Sequence, residues 1–110
     1  MLEAGDLAAG ADVYVTLEPC SHFGRTPPCA EALVSSGIKR VFVAMVDPNP
    51  LVAGRGLARL EEAGIEAFSG LLETEARQLN PGFISGMQRQ RSFVRIKMAM
   101  SLDGRTAMAS

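Results

Sequence analysis

Ile38 to Val46, I-K-R-V-F-V-A-M-V, most narrows what this chain can fold into. From Val41 it is apolar nearly throughout, the pattern of a strand covered on both faces, as in a parallel sheet with helices outside. The flanking segments supply both parts. Val13 to Leu17 is a β-branched, apolar run that reads as a buried strand, stopped at Glu18-Pro19 because proline cannot donate to the ladder. Pro27 and Pro28 lead into C-A-E-A-L-V-S-S-G, where proline suits the first turn of a helix and Gly37 its stop. Gly54-Arg55-Gly56 opens the helix L-A-R-L-E-E-A, closed by Gly64. There Leu57, Leu60 and Ala63 form an apolar face, and Arg59, Glu61 and Glu62 a solvated one. Ile65 to Phe68 reads as a short strand, and Glu73 to Leu79 as a helix halted by Asn80-Pro81-Gly82. The alternation specifies an α/β fold with a mostly parallel sheet.

Ligands of such sheets collect at the carboxyl ends of the strands. The loop holding Cys20 and Cys29 follows the first strand, and Asp47-Pro48-Asn49-Pro50 follows the second, so both are expected at one edge. The ends of the chain read differently. Met1 to Leu7 resembles the tail of a helix, with no cap before it. After Gln88-Arg89-Gln90-Arg91, Phe93 to Met100 alternates like a new strand and runs into S-L-D-G-R-T-A-M-A-S.

With 110 residues the chain is expected to hold one domain, or one domain and a piece of another. A hydrophobic fraction of 47% supports a core, and a net charge of −1 gives no reason to expect nucleic acid or an anionic membrane as partner. No apolar run approaches the roughly 20 residues of a membrane span. Two cysteines are too few for a secreted disulfide framework, and no signal peptide is evident, so a cytoplasmic, reducing setting is expected.

Chemistry concentrates between Tyr14 and Cys29, Y-V-T-L-E-P-C-S-H-F-G-R-T-P-P-C. Thiolates bind zinc, but a site needs about four ligands, so Cys20 and Cys29 alone are half a site or a pair of ordinary buried thiols. Cys29 starts a helix, a position that favours a thiolate. His22, the single histidine of the chain, fits a third ligand, a substrate contact or a loop residue with no special role. Arg25 suits an anionic group such as phosphate, or is simply an exposed arginine. Asp47 and Asn49 suit sugar hydroxyls or an amide-like ring edge, or serve only as turn residues beside proline.

These residues carry a resemblance. T-L-E-P-C-S-H-F-G-R-T-P-P-C, then D-P-N-P-x-V-A-G-R-G, then S-L-D-G-R-T-A-M-A-S closely resembles the bifunctional deaminase–reductases of riboflavin biosynthesis, over essentially the whole chain. The resemblance implies a cytidine-deaminase-like three-layer α/β/α domain over 1–88. Residues 89–110 would be a linker and the first strand of a dihydrofolate-reductase-like domain. In the wider class a His/Cys/Cys zinc site activates water, and a glutamate that is not a ligand moves the proton. Carried over by position, Cys20 and Cys29 correspond to the two thiolate ligands, and His22 and Arg25 to contacts with the ribosyl-phosphate end of a diaminopyrimidine substrate. Asp47 and Asn49 correspond to polar contacts at the second strand end. Lys97, Met100, Ser101 and Asp103 fall near the NADPH and substrate region of the reductase. Gly54 and Gly56 correspond to helix-opening glycines with a structural role.

The family's His-Ala-Glu motif, which supplies the zinc-binding histidine and the catalytic glutamate, is expected just before Met1, together with the first strand. Glu3 lies on the wrong side of the motif's spacing to replace that glutamate, and nothing marks Glu18 for proton work. The expectation is therefore a chain with no catalytic residue of its own, inactive in isolation, because loss of the proton shuttle alone costs about 10²–10⁴ in rate. Bare sheet edge and helix-packing surface lead us to expect a homo-oligomer formed by strand or helix exchange. The competing class is a non-catalytic assembly module whose Cys20 and Cys29 are free, disulfide-bonded or bridged by zinc between molecules. A functional reductase fragment is a weaker third reading, with only one strand of that domain at hand.

Overall fold

A computed structural model describes residues 3–24 and 26–106. After a single 3-10 turn at Gly5–Ala8, the order is β1 (Asp12–Val15), α1 (Cys29–Ser35), β2 (Arg40–Val43), α2 (Arg55–Glu62), β3 (Glu66–Ser69), α3 (Glu73–Leu79) and α4 (Pro81–Arg89). The strands form a parallel sheet in the order β1-β2-β3, as the alternation of elements predicts. Strands alternate with helices, an α/β architecture.

The register puts Val13 beside Val41 and Val15 beside Val43, with Val41 beside Ala67. This face packs on Ala30 and Leu33 of α1, Leu60 of α2, and Ile38 and Ile65 at the strand starts, forming one aliphatic core. Because side chains alternate along a strand, the other face carries Tyr14, Phe42 and Phe68 in a row. Their rings stack at 4.8 and 5.1 Å between centroids. Leu72, Ala76 and Leu79, from the start and length of α3, flank this row and close an apolar groove of about 340 Å³ against Tyr14 and Phe42. Helices thus lie on both sides of the sheet.

Ion pairs lock neighbouring elements. Arg40 donates from Nε and Nη2 to the two oxygens of Asp12 at 2.7 and 2.6 Å, across the β1–β2 pair. That contact holds the Asp12 carboxyl below its ordinary range. Arg59 on α2 grips Glu31 on α1 in the same two-pronged way, at 2.6 and 3.0 Å. Arg59 therefore ties two helices together rather than simply facing solvent.

Three sequence expectations need correction. Asn80-Pro81-Gly82 does halt α3, but Pro81 is at once the first residue of α4, where its missing N–H costs nothing. Phe93 to Met100 is not a strand: the segment is exposed and joins no sheet. Its alternation is real, but a strand needs a partner for its N–H and C=O groups, and among the described residues none is placed beside it. The helix tail at Met1 to Leu7 is, from Gly5, a 3-10 turn; Met1 and Leu2 lie outside the described residues. Among the described residues no helix is long and apolar enough to cross a membrane.

Leu60 is fully buried, whereas Ile96 is 79% exposed. Leu60→Ala is expected to cost about 2–5 kcal/mol, read as a lower urea midpoint. Ile96→Ala is expected to stay within about 0.5 kcal/mol. A large loss at Ile96 would mean that the tail is packed after all.

Candidate metal and substrate site

Pairing between β1 and β2 continues past the ends of both strands. Ala44 N–H donates to the Val15 carbonyl at 2.9 Å, and Glu18 N–H to the Met45 carbonyl at 3.0 Å. The two following loops therefore leave the same edge side by side. Glu18 is buried, at 6% exposure, and its carboxylate joins them. Oε2 accepts from the backbone N–H of Asp47 at 3.0 Å and of Gly54 at 3.0 Å. Oε1 accepts from Gly56 at 2.8 Å and Leu57 at 3.3 Å. A buried carboxyl group is tolerated only with partners of this kind. In return it satisfies the opening N–H groups of α2, whose N-cap, Gly54, has no capping side chain.

Gly56 makes this approach feasible. A Cβ there would lie 2.0 Å from the Pro19 carbonyl oxygen and 3.1 Å from Glu18 Cγ. Gly54 has φ +79°, a backbone shape that glycine adopts without strain. Both are structural, and the structure shows why.

Cys20, half-buried, and Cys29, exposed, are brought together across their loop. Cys29 N–H donates to Cys20 Sγ at 3.4 Å, and Ala30 N–H to the Cys20 carbonyl at 3.1 Å, so α1 begins on Cys20. Both are free thiols. Cys29 opens α1, but the neighbouring sulfur acts against the helix start. The Cys29 thiol is pushed up from the ordinary value, first by the hydrogen bond with Cys20, then by burial and by the charge of Cys20. Two sulfurs held this way oppose each other's ionisation, and a soft divalent cation between them removes that penalty. The pair fits two thiolate ligands of zinc. Among the described residues no group of three or more His, Cys, Asp or Glu is placed to hold a metal.

The remaining candidates divide. Asp47 Oδ1 accepts from Asn49 N–H at 2.8 Å, and Asn49 Oδ1 from Leu51 N–H at 3.1 Å. Turn chemistry uses one oxygen of each, and Asp47 Oδ2 and Asn49 Nδ2 lie outside these bonds. His22 is exposed in the cysteine loop, and Arg25 lies outside the described residues. Lys97, Met100, Ser101 and Asp103 are all exposed on the tail. Ser101 donates to Asp103, Arg105 N–H donates back to Ser101 Oγ at 3.1 Å, and Arg105 pairs with Asp103 at 3.1 Å. Those bonds, Ser101 first, hold the Asp103 carboxyl below its ordinary range and close a small turn of their own.

Residues 1–45, which include both cysteines and His22, match the cytidine and deoxycytidylate deaminase zinc-binding region. The chain is 62% identical over 104 residues to the riboflavin biosynthesis protein RibD of Bacillus amyloliquefaciens, covering 94% of this chain and 28% of that protein. It superposes on RibD from Acinetobacter baumannii with a TM-score of 0.84 at 59% identity, over 99% of this chain and 31% of that one. The chain belongs to the riboflavin-biosynthesis deaminase–reductase family. A further relative is a Thermotoga maritima diaminohydroxyphosphoribosylaminopyrimidine deaminase/5-amino-6-(5-phosphoribosylamino)uracil reductase, with a TM-score of 0.76 at 44% identity over 96% of this chain and 30% of that one. The chain thus spans under a third of the length of these family members, and what it matches in the family model is the deaminase zinc-binding region.

Sequence reasoning found the cysteines and missed Glu18. The available signal was an acidic residue closing an apolar strand, with a Gly-x-Gly further on that only a close backbone approach explains. Gly56→Ala is expected to destabilise the chain by about 2 kcal/mol or more, measured by urea unfolding. In the metal-free chain, Cys20→Ala removes the first cause of the raised Cys29 value. The midpoint of Cys29 alkylation against pH should then move down, and a rise or no change would contradict the pairing.

Proposed function

We propose that this chain carries the Cys/Cys part of a zinc-dependent deaminase site of riboflavin biosynthesis, acting on a diaminopyrimidine ribosyl-phosphate. The observation that carries the proposal is the pairing of Cys20 and Cys29 across one loop, at the carboxyl edge of a parallel sheet, beside a second polar loop. The zinc-binding match over these residues and the activity named for the Thermotoga relative support the same reading.

Cys20 and Cys29 would hold zinc, which when bound would supply a Lewis acid for activating water. The chain's own residues do the rest of the placing. Asp47 and Asn49 hold the pyrimidine's polar edge with the atoms their turn leaves over, and His22 and Arg25 meet the ribosyl-phosphate. In this reading the pair needs a further zinc ligand and a proton-carrying group beside it. Glu18 does not fill the second role, since both its oxygens already accept two N–H bonds each.

Residues 1–88 form the deaminase part in this reading. Residues 89–110, with Lys97, Met100, Ser101 and Asp103, belong with an NADPH-dependent reductase part in the same reading, supported by the exposure of this segment away from the sheet. Self-association belongs to the same reading, supported by the exposed strip of Tyr14 and Phe68.

The test is metal binding with turnover. In equilibrium dialysis zinc should bind the chain, and either Cys20→Ala or Cys29→Ala should abolish the binding. Incubated with the diaminopyrimidine ribosyl-phosphate and zinc, the chain should release no more ammonia than the Cys20→Ala control. Zinc binding that survives both substitutions would overturn the site assignment. Ammonia well above the control would overturn the claim that further residues are needed.

A further inference from the structure

We infer that Glu18 is a positioning residue whose carboxylate clasps the 47–54 loop shut and so fixes Asn49 relative to Cys20. This goes beyond the function proposed above and rests on it for the role of Asn49. The geometry is specific. Asp47 and Gly54 are the two ends of one loop, and their N–H groups meet on a single atom, Glu18 Oε2, at 3.0 Å each. The other oxygen holds Gly56 and Leu57, the first turn of α2. One side chain therefore sets both where the loop begins and ends and where the next helix starts.

Glu18 is itself fixed to the cysteine side. Its own N–H is in the ladder with Met45, and Cys20 follows two residues later, carrying the start of α1. The path from Cys20 to Asn49 is accordingly short and rigid: Cys20, Pro19, Glu18, Asp47, and the Asp47 Oδ1 bond to Asn49 N–H at 2.8 Å. Gly56 protects this path, because any side chain there would strike Pro19 and Glu18. A loop of Asp, Asn and prolines could hold its own turns without Glu18, but among the described residues no other hydrogen bond ties both of its ends to the cysteine strand.

Glu18→Gln keeps the shape and exchanges one oxygen for an NH₂ group. Whichever way that amide sits, two of the four N–H groups then face a donor instead of an acceptor. One pair of amides, Asp47 with Gly54 or Gly56 with Leu57, should exchange about tenfold faster or more by NMR, while Val41 and Val43 in β2 keep their protection. Zinc binding at Cys20 and Cys29 should be unchanged. Affinity for the diaminopyrimidine ribosyl-phosphate should fall about tenfold, and Asn49→Ala should cost less in the Glu18→Gln background than alone. Glu18→Asp keeps both oxygens on a shorter arm. It should lie between the two, and it carries the same measurements if Glu18→Gln does not fold. Unchanged exchange at all four amides overturns the clasp. Faster exchange with unaltered affinity, or costs at Glu18 and Asn49 that simply add, overturns the positioning role and leaves Glu18 structural. A native chain that binds no pyrimidine overturns the substrate reading and this role together, and is told apart because it appears before any substitution.

Discussion

One buried carboxylate organises the functional edge of this molecule. Parallel strands deliver their loops to the same side, but delivery alone leaves two flexible polar loops next to each other. Glu18 converts that neighbourhood into a fixed geometry by accepting four backbone N–H bonds from the opposite loop and the helix after it. Hydrogen bonds to a carboxylate are among the stronger ones available, and here they also remove the desolvation penalty of a buried acid. The cost is sequence freedom, since Gly56 has no room for a side chain beside Pro19 and Glu18.

The cysteine pair shows the complementary logic. Cys20 offers its sulfur and its carbonyl to the first two N–H groups of α1, so the helix start and the second cysteine are built on the first. Without a cation the sulfurs hinder each other, and the Cys29 thiol is pushed up as a result. An arrangement that is electrostatically unfavourable alone and favourable around a divalent metal is what a ligand pair looks like. Membership in the deaminase–reductase family and the match to a deaminase zinc-binding region agree with that chemistry.

Much of this was legible in the sequence. The apolar run at Val41 to Val46 and the regular return of Gly and Pro marked strands, helices and a parallel sheet, because those signals are local and periodic. The cysteines and the D-P-N-P loop were placed at one edge by topology alone. Glu18 was not legible as a clasp, since its partners lie 29 to 39 residues away and are backbone groups, which leave no trace in side-chain identity. The raised Cys29 thiol is hidden in the sequence for a related reason: its largest cause is a through-space neighbour, Cys20. In the tail the alternation of Phe93 to Met100 is a genuine pattern, but a pattern becomes a strand only where a partner offers hydrogen bonds. Pro81 follows the end of one helix and opens the next, because proline suits both places and only the residues after it decide.

The central claim is that Cys20 and Cys29 together bind zinc as thiolates. Zinc X-ray absorption on the metal-loaded chain tests it most directly, because the spectrum counts sulfur neighbours without relying on turnover. The account predicts a shell of about two sulfurs per zinc near ~2.3 Å, completed by lighter atoms and lost on substitution of either cysteine. A spectrum with nitrogen and oxygen neighbours only would contradict it.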